Sequence, residues 1–316
     1  MMHFYKVLKE AYYNLLKLKS RVFSGRPVLV LMYHRINDDV GEKLEGLTVS
    51  VSNFEEQLLY FKNNFQVLKL DEDWNSLKKN GLVITFDDGY ADNILNALPL
   101  LEKYQIPATI FVTTLNINIQ NEFWWDRLVF DYTSCAESFW LPDLNEKTFK
   151  SDRVYKDITV HVHKMSNDAK EKWFLTFEKL NQIAFSPREE FWSLTSAELQ
   201  VLAEHPLITL GIHTHNHYSL GTLTYEDQKE ELQLSIAKLS ELTSTSIKYL
   251  ALPHGSYNKD TLAISNELDI SAILLANNYY STADNKATKK INRILIPNLR
   301  DKELSVYINQ FNFRIW

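Results

Sequence analysis

Four short apolar runs in this chain each end on residues that carry chemistry, and this pattern limits the folds open to it. Pro27–Tyr33 (PVLVLMY) runs into His34, and Leu82–Phe86 runs into Asp87 and Asp88. Leu207–Ile212 runs into His213-Thr214-His215-Asn216-His217, and Ile247–Leu252 into Pro253-His254-Gly255. Apolar runs of this length read as buried strands. Between and beyond them lie helical patterns at Asn53–Phe65, Ala91–Tyr104, Ser196–Glu204, Tyr225–Leu242, Lys259–Leu268 and Lys302–Phe311, with further strands at Gln66–Leu70, Ala108–Val112, Ile270–Leu275 and Ile291–Ile296. Strands alternating with helices form parallel sheets, because each parallel return needs a crossover. In a parallel barrel all strand ends share one face, so four polar strand ends would converge on a single site.

The rhythm stops at about residue 114 and resumes at about 195. The intervening stretch contains Trp124, Trp125, Trp140, Trp173 and Trp192, one clear helical pattern (Asn167–Ile183) and no glycine, so it is not a flexible linker. It reads as an aromatic-rich insertion folded on the barrel at the substrate mouth. Aromatic faces suit sugar stacking but serve cores equally well. His161 and His163 lie inside it, away from any carboxylate in sequence, and read as ordinary.

Composition excludes several classes. The chain has 316 residues, a net charge of −6 and a pI near 5.9, which gives no electrostatic case for nucleic acid. Cys135 is the only cysteine, so no intrachain disulfide forms. No apolar stretch approaches the roughly 18–20 residues of a membrane-spanning helix. No secretory leader is visible, and the expected address is the cytoplasm. Residues 1–26 form a segment of their own. Phe4, Leu8, Ala11, Leu15, Leu18 and Val22 recur at helical spacing, and Lys6, Lys9, Lys17, Lys19, Arg21 and Arg26 oppose the single acid Glu10. Such a basic amphipathic helix can lie on an anionic membrane, here through residues 1–24, at the inner membrane.

Adjacent carboxylates and a histidine cluster at neighbouring strand ends supply the parts of a one-metal hydrolase: oxygen and nitrogen ligands, and a spare carboxylate to act as a base. Gly89 permits a turn that brings both acids to one rim. Spacing alone does not choose among His213, His215 and His217.

TFDDGY, HTHNH and LPHGSYN, in this order, resemble the successive motifs of the polysaccharide deacetylase family (NodB-homology domain, carbohydrate esterase family 4). VLMYHRI resembles the first strand of a subgroup found among exopolysaccharide and lipopolysaccharide biosynthesis deacetylases. The resemblance covers roughly 27–115 and 190–300. It implies an α/β fold, a distorted (β/α)7-type barrel over 27–316, interrupted by the insertion at about 114–195. It implies a metal-dependent N-deacetylase acting on an N-acetylated sugar of a surface polysaccharide or its precursor. Asp87 would be the general base, and Asp88, His213 and His217 would hold one divalent ion, most often Zn2+. Thr214 would position the histidine loop. The backbone N–H of His254, between Pro253 and Gly255, would hold the oxyanion. Two departures stand out. The family's arginine two residues before the proline is Ala251 here, with Arg293 the candidate replacement. The family's late histidine, source of the general acid, has no match, which leaves His34, His254 or water for that role. These departures favour one other reading, a glycan-binding scaffold on a deacetylase frame; a second is a different amide hydrolase on this frame, such as a deformylase of a lipid-linked amino sugar.

Overall fold

The computed structural model describes residues 26–38, 46–144 and 146–311. The amphipathic pattern at 1–24 therefore lies outside the described residues. The chain divides into two compact units, residues 1–117 with 194–316, and residues 118–193.

The first unit is built on an all-parallel sheet. Its principal strands are β1 (Val28–Tyr33), β2 (Gly81–Phe86), β3 (Ala108–Val112), β4 (Ile208–Ile212), β5 (Tyr249–Ala251), β6 (Ala272–Leu274), β7 (Lys290–Ile291) and β8 (Ile294–Leu295). Their spatial order is β7-β6-β5-β4-β3-β2-β1-β8, and a short strand at Gln66–Val67 also pairs with β2. β7 and β8 are consecutive in sequence yet sit at opposite ends of this order. Only Asn292 and Arg293 separate them, and a residue spans at most about 3.6 Å. The two edges must therefore lie close together, so the sheet curls round on itself as a distorted barrel. The expected single strand Ile291–Ile296 is in fact these two short strands, one on each side of the seam.

Side-chain alternation sorts the strand residues into two layers. Val28, Val30, Val83, Phe111, Ala251, Leu274 and Ile291 form one buried cluster, the barrel interior. Leu29, Leu31, Leu82, Ile84, Ile110, Leu210 and Ile212 join the cluster that packs against the helices, which include Val51–Asn64 and Tyr225–Thr243. Gly211 belongs to the interior parity, and a Cβ there would lie 2.6 Å from the Phe111 ring. The glycine is thus the space into which Phe111 packs.

Local signals set most boundaries. The first helix begins at Val51, not Asn53, because the Ser50 side chain accepts from the Asn53 N–H. Ala91–Tyr104 is not one continuous α-helix: a π-helical turn, Asn93–Ala97, precedes the α-helix Leu98–Tyr104. None of the described helices is long and apolar enough to cross a membrane.

The second unit has its own core of Leu128, Tyr132, Phe139, Ile158, Val162, Trp173, Phe174 and Phe177. It contains the expected helix, Asn167–Asn181, and two more, Trp124–Ser134 and Asp152–His163, with an antiparallel hairpin of Ser138–Leu141 and Glu146–Phe149. Trp173 is only 5% exposed, so this tryptophan serves the core. His161 is not remote from carboxylates, since its Nε2 lies 2.7 Å from Asp143. A hairpin turn brings Asp143 back beside the helix, a contact hidden in the sequence separation.

Candidate active site

The inward parity of each strand continues past its end. Counting in twos from Val30 gives His34, from Val83 gives Asp87, from Gly211 gives His213, and from Ile291 gives Arg293. All four therefore extend the interior face at the carboxyl ends of parallel strands. On a regular strand Asp88 would point the other way. Its backbone is instead left-handed (φ 73°), as is that of Gly89 (φ 83°), so the chain turns and both acids line the rim. Both are 2% exposed.

The two acids have different surroundings. Asp87 is gripped by Arg293: Nη1 donates to Oδ1 at 2.6 Å and Nη2 to Oδ2 at 2.8 Å. Arg293 is itself fully buried, and its Nε donates to the Leu275 carbonyl at 3.0 Å. Burial alone would push Asp87 up, but the Arg293 guanidinium and its hydrogen bonds hold it down at about 2. Arg293 thus occupies the role left vacant by Ala251, from the seam rather than from β5.

Asp88 faces histidines instead. Its Oδ1 is 3.4 Å from His213 Nε2 and 3.2 Å from His217 Nε2. Ligand atoms of these three residues lie within 4.8 Å of one another. His213 Nδ1 lies 2.9 Å from the Ala251 carbonyl, so Nδ1 carries the proton and donates it, leaving the Nε2 lone pair aimed at Asp88. Burial raises the Asp88 carboxyl and lowers the His213 imidazole. Asp88 Oδ1 is buried with no hydrogen-bond partner. A carboxylate oxygen and an imidazole lone pair that face each other without a proton between them repel, and a cation between them removes the conflict. One oxygen and two nitrogen donors are the set that suits zinc and similar divalent ions. The residues therefore fit a resident metal.

His215 is not in this cluster. Its ring Nδ1 lies 2.9 Å from Thr114 Oγ1. Thr214 has a left-handed backbone (φ 62°) and a buried hydroxyl with no hydrogen-bond partner, so its side chain does not tie the loop in the way the motif implies. That tie comes from Glu231, a residue the sequence reading did not single out. His254 sits in a short 3-10 turn, Pro253–Gly255, with left-handed φ at both His254 (56°) and Gly255 (64°). Its ring centroid lies 4.8 Å from that of His217, which brings the turn beside the cluster. His34 Nδ1 is buried without a hydrogen-bond partner; burial lowers the imidazole, and the charges of Asp88 and Asp87 pull it back up.

A family model for polysaccharide deacetylases matches residues 75–273, more than half of the chain. The chain belongs to the polysaccharide deacetylase family. The matched span contains the acid pair, the histidine loop and the Pro253 turn, whereas His34 and Arg293 lie outside it. The chain is 28% identical over 120 residues to the poly-beta-1,6-N-acetyl-D-glucosamine N-deacetylase of Staphylococcus aureus, covering 33% of this chain and 41% of that protein. It is 36% identical over 91 residues to YxkH of Bacillus subtilis, a protein named for the same family, covering 26% of this chain and 30% of that one. The chain thus spans well under half the length of these curated relatives. Among solved structures it is similar to the deacetylase PplD of Streptococcus pyogenes in complex with acetate (TM-score 0.59, 21% identity, 89% of this chain and 96% of that one). It is also similar to IcaB of Ammonifex degensii (TM-score 0.59, 16% identity, 92% and 99%). These likenesses establish the shared barrel fold.

Proposed function

We propose that this chain is a metal-dependent N-deacetylase that removes acetyl groups from an N-acetylated sugar of a surface polysaccharide or its precursor. The observation that carries the reading is the division of labour between neighbouring acids. Asp88 converges with His213 and His217, while Asp87, one residue earlier, stands 3.9 Å from His213 Nε2 with both of its oxygens held by Arg293. The S. aureus relative, whose name gives a poly-N-acetylglucosamine substrate, supports the sugar class.

Asp88, His213 and His217 would hold the ion, with Zn2+ the best fit to their donors. When bound, a divalent ion polarises an amide carbonyl and makes water more acidic. Asp87 accepts the proton of the attacking water. The Arg293 pair keeps Asp87 ionised at neutral pH and fixes its orientation. The backbone N–H of His254 supplies a donor for the oxyanion from the turn beside His217. His34 delivers a proton to the departing amine nitrogen: it is the histidine at the end of β1, whose pairing with β2 places it next to the acids. The C–N bond then breaks to give acetate and a free amine.

The test is a panel of N-acetylated substrates, from sugar nucleotides and lipid-linked sugars to poly-N-acetylglucosamine oligomers, with the released acid and the product mass measured. The reading expects acetate and a loss of one acetyl mass per event. Formate release would point to a deformylase. Release of no acid from any substrate by metal-loaded protein would favour a glycan-binding scaffold.

A further inference from the structure

The histidine loop has an unfavourable backbone. Thr214 and His217 are both left-handed, with φ of 62° and 59°. Non-glycine residues are disfavoured there, so the conformation persists only where surrounding contacts enforce it. One side of the loop is held from the segment after β3: the Thr114 N–H donates to the Thr214 carbonyl at 3.2 Å and the Leu115 N–H to the His215 carbonyl at 2.9 Å. Those bonds engage carbonyls. The loop's N–H groups at residues 215 and 216 turn the other way, towards the helix Tyr225–Thr243.

There they meet a single carboxylate. Glu231 Oε2 accepts from the His215 N–H at 3.1 Å and from the Asn216 N–H at 2.8 Å, and Oε1 accepts from Asn216 Nδ2 at 2.5 Å. Glu231 is 6% exposed. A buried carboxylate is costly unless hydrogen bonds compensate it, and charge-assisted bonds of this kind are roughly twice as strong as neutral ones. All three fall on the two residues immediately before His217. None of these three bonds goes to Asp88 or to the histidine rings that face it.

We infer that Glu231 is the positioning residue of the metal centre: it holds the loop in the left-handed conformation that delivers His217 to Asp88 and His213. The inference rests on the metal reading proposed above and goes beyond it by assigning the ligand geometry to a residue outside the family's motif. Groups that orient metal ligands typically change affinity by roughly 10–100-fold when removed.

The experiment is a titration of metal-free protein with Co2+ alone, followed by its visible absorption, and with Zn2+ in competition. Wild type, Glu231→Ala, Glu231→Gln and Asn216→Ala are compared, with folding checked by circular dichroism. Glu231→Ala should raise the Kd roughly 10–100-fold and alter the Co2+ spectrum. Glu231→Gln should stay close to wild type, because its amide oxygen still accepts both backbone N–H groups and a rotated Asn216 amide can accept from its nitrogen. Asn216→Ala, which removes only the third bond, should weaken binding several-fold, and it carries the test if Glu231→Ala does not fold. Unchanged affinity in both alanine variants, with metal bound by wild type, would overturn this inference alone. A wild type that binds no metal would overturn the metal reading and this inference with it.

Discussion

Arg293 and Asp87 meet across the seam of the barrel: the guanidinium, between β7 and β8, binds both carboxylate oxygens at the end of β2. The seam thereby does structural and electrostatic work at once. Removing one partner of a buried, hydrogen-bonded pair leaves a stranded charge, at a cost of about 3–5 kcal/mol. Arg293→Met should therefore lower unfolding stability by about that amount in chemical denaturation. It should also move the acid limb of activity to higher pH, because burial then acts on Asp87 without its counterweight. Equal stability and an unmoved acid limb would contradict this.

The same pair makes a statement about stability in acid. Asp87 is depressed from 3.8 to about 2 in the folded protein. Its contribution is fully present above pH about 4 and is lost as pH falls towards 2, amounting to about 2 kcal/mol. Asp87→Asn should lose less stability than wild type between pH 4 and pH 2, as followed by urea midpoints.

In the second unit the sign is opposite. Asp131 is buried, and the Arg127 guanidinium nearby is engaged by Glu178 and Glu171. Burial, reinforced by the Glu178 charge, pushes Asp131 up to about 8. A carboxyl raised above its unfolded value near 4 favours folding fully below that value, and the contribution is lost as pH rises through 8. Asp131→Asn is neutral at every pH, so its Tm should gain on wild type between pH 5 and pH 9. Parallel Tm curves would show that Asp131 does not titrate there.

His34 as proton donor makes a leaving-group prediction. His34→Gln should bind metal normally but lose roughly 10²–10⁴ in N-deacetylation, the range for a general acid. Hydrolysis of an activated aryl acetate, whose leaving group needs no proton, should fall much less. Equal losses on both substrates would remove His34 from that role.

Much of the architecture was legible because two periodicities carried it. Alternating apolar strands and helices announced a parallel barrel, and parity from Val30, Val83 and Gly211 runs through to His34, Asp87 and His213. What the sequence concealed was non-local or conformational. That Ile291–Ile296 splits across the seam depends on barrel closure. The π-helical turn at Asn93 leaves no mark in a helical hydrophobic pattern. Glu231 is one acid in a run with Glu226, Asp227 and Glu230; in the fold those three are exposed and Glu231 is buried against the backbone of a distant loop, a difference the sequence does not carry. In the second unit, the helices Trp124–Ser134 and Asp152–His163 flank a short hairpin in sequence; aromatic density obscured the period of the first, and the β-branched Val154, Ile158, Thr159, Val160 and Val162 that of the second.

In the proposed mechanism one acid serves the metal and its neighbour serves the proton. The direct measurement is metal content and acetate release, side by side, for wild type, Asp87→Asn, His217→Ala and His215→Ala. Wild type and Asp87→Asn should each carry about one equivalent of divalent metal, the equivalence expected of a three-ligand site. Asp87→Asn should release acetate at least roughly a hundredfold more slowly. His217→Ala should lose the metal, and His215→Ala should keep it. Full activity in Asp87→Asn, or metal lost from His215→Ala and retained by His217→Ala, would contradict this division between the two acids.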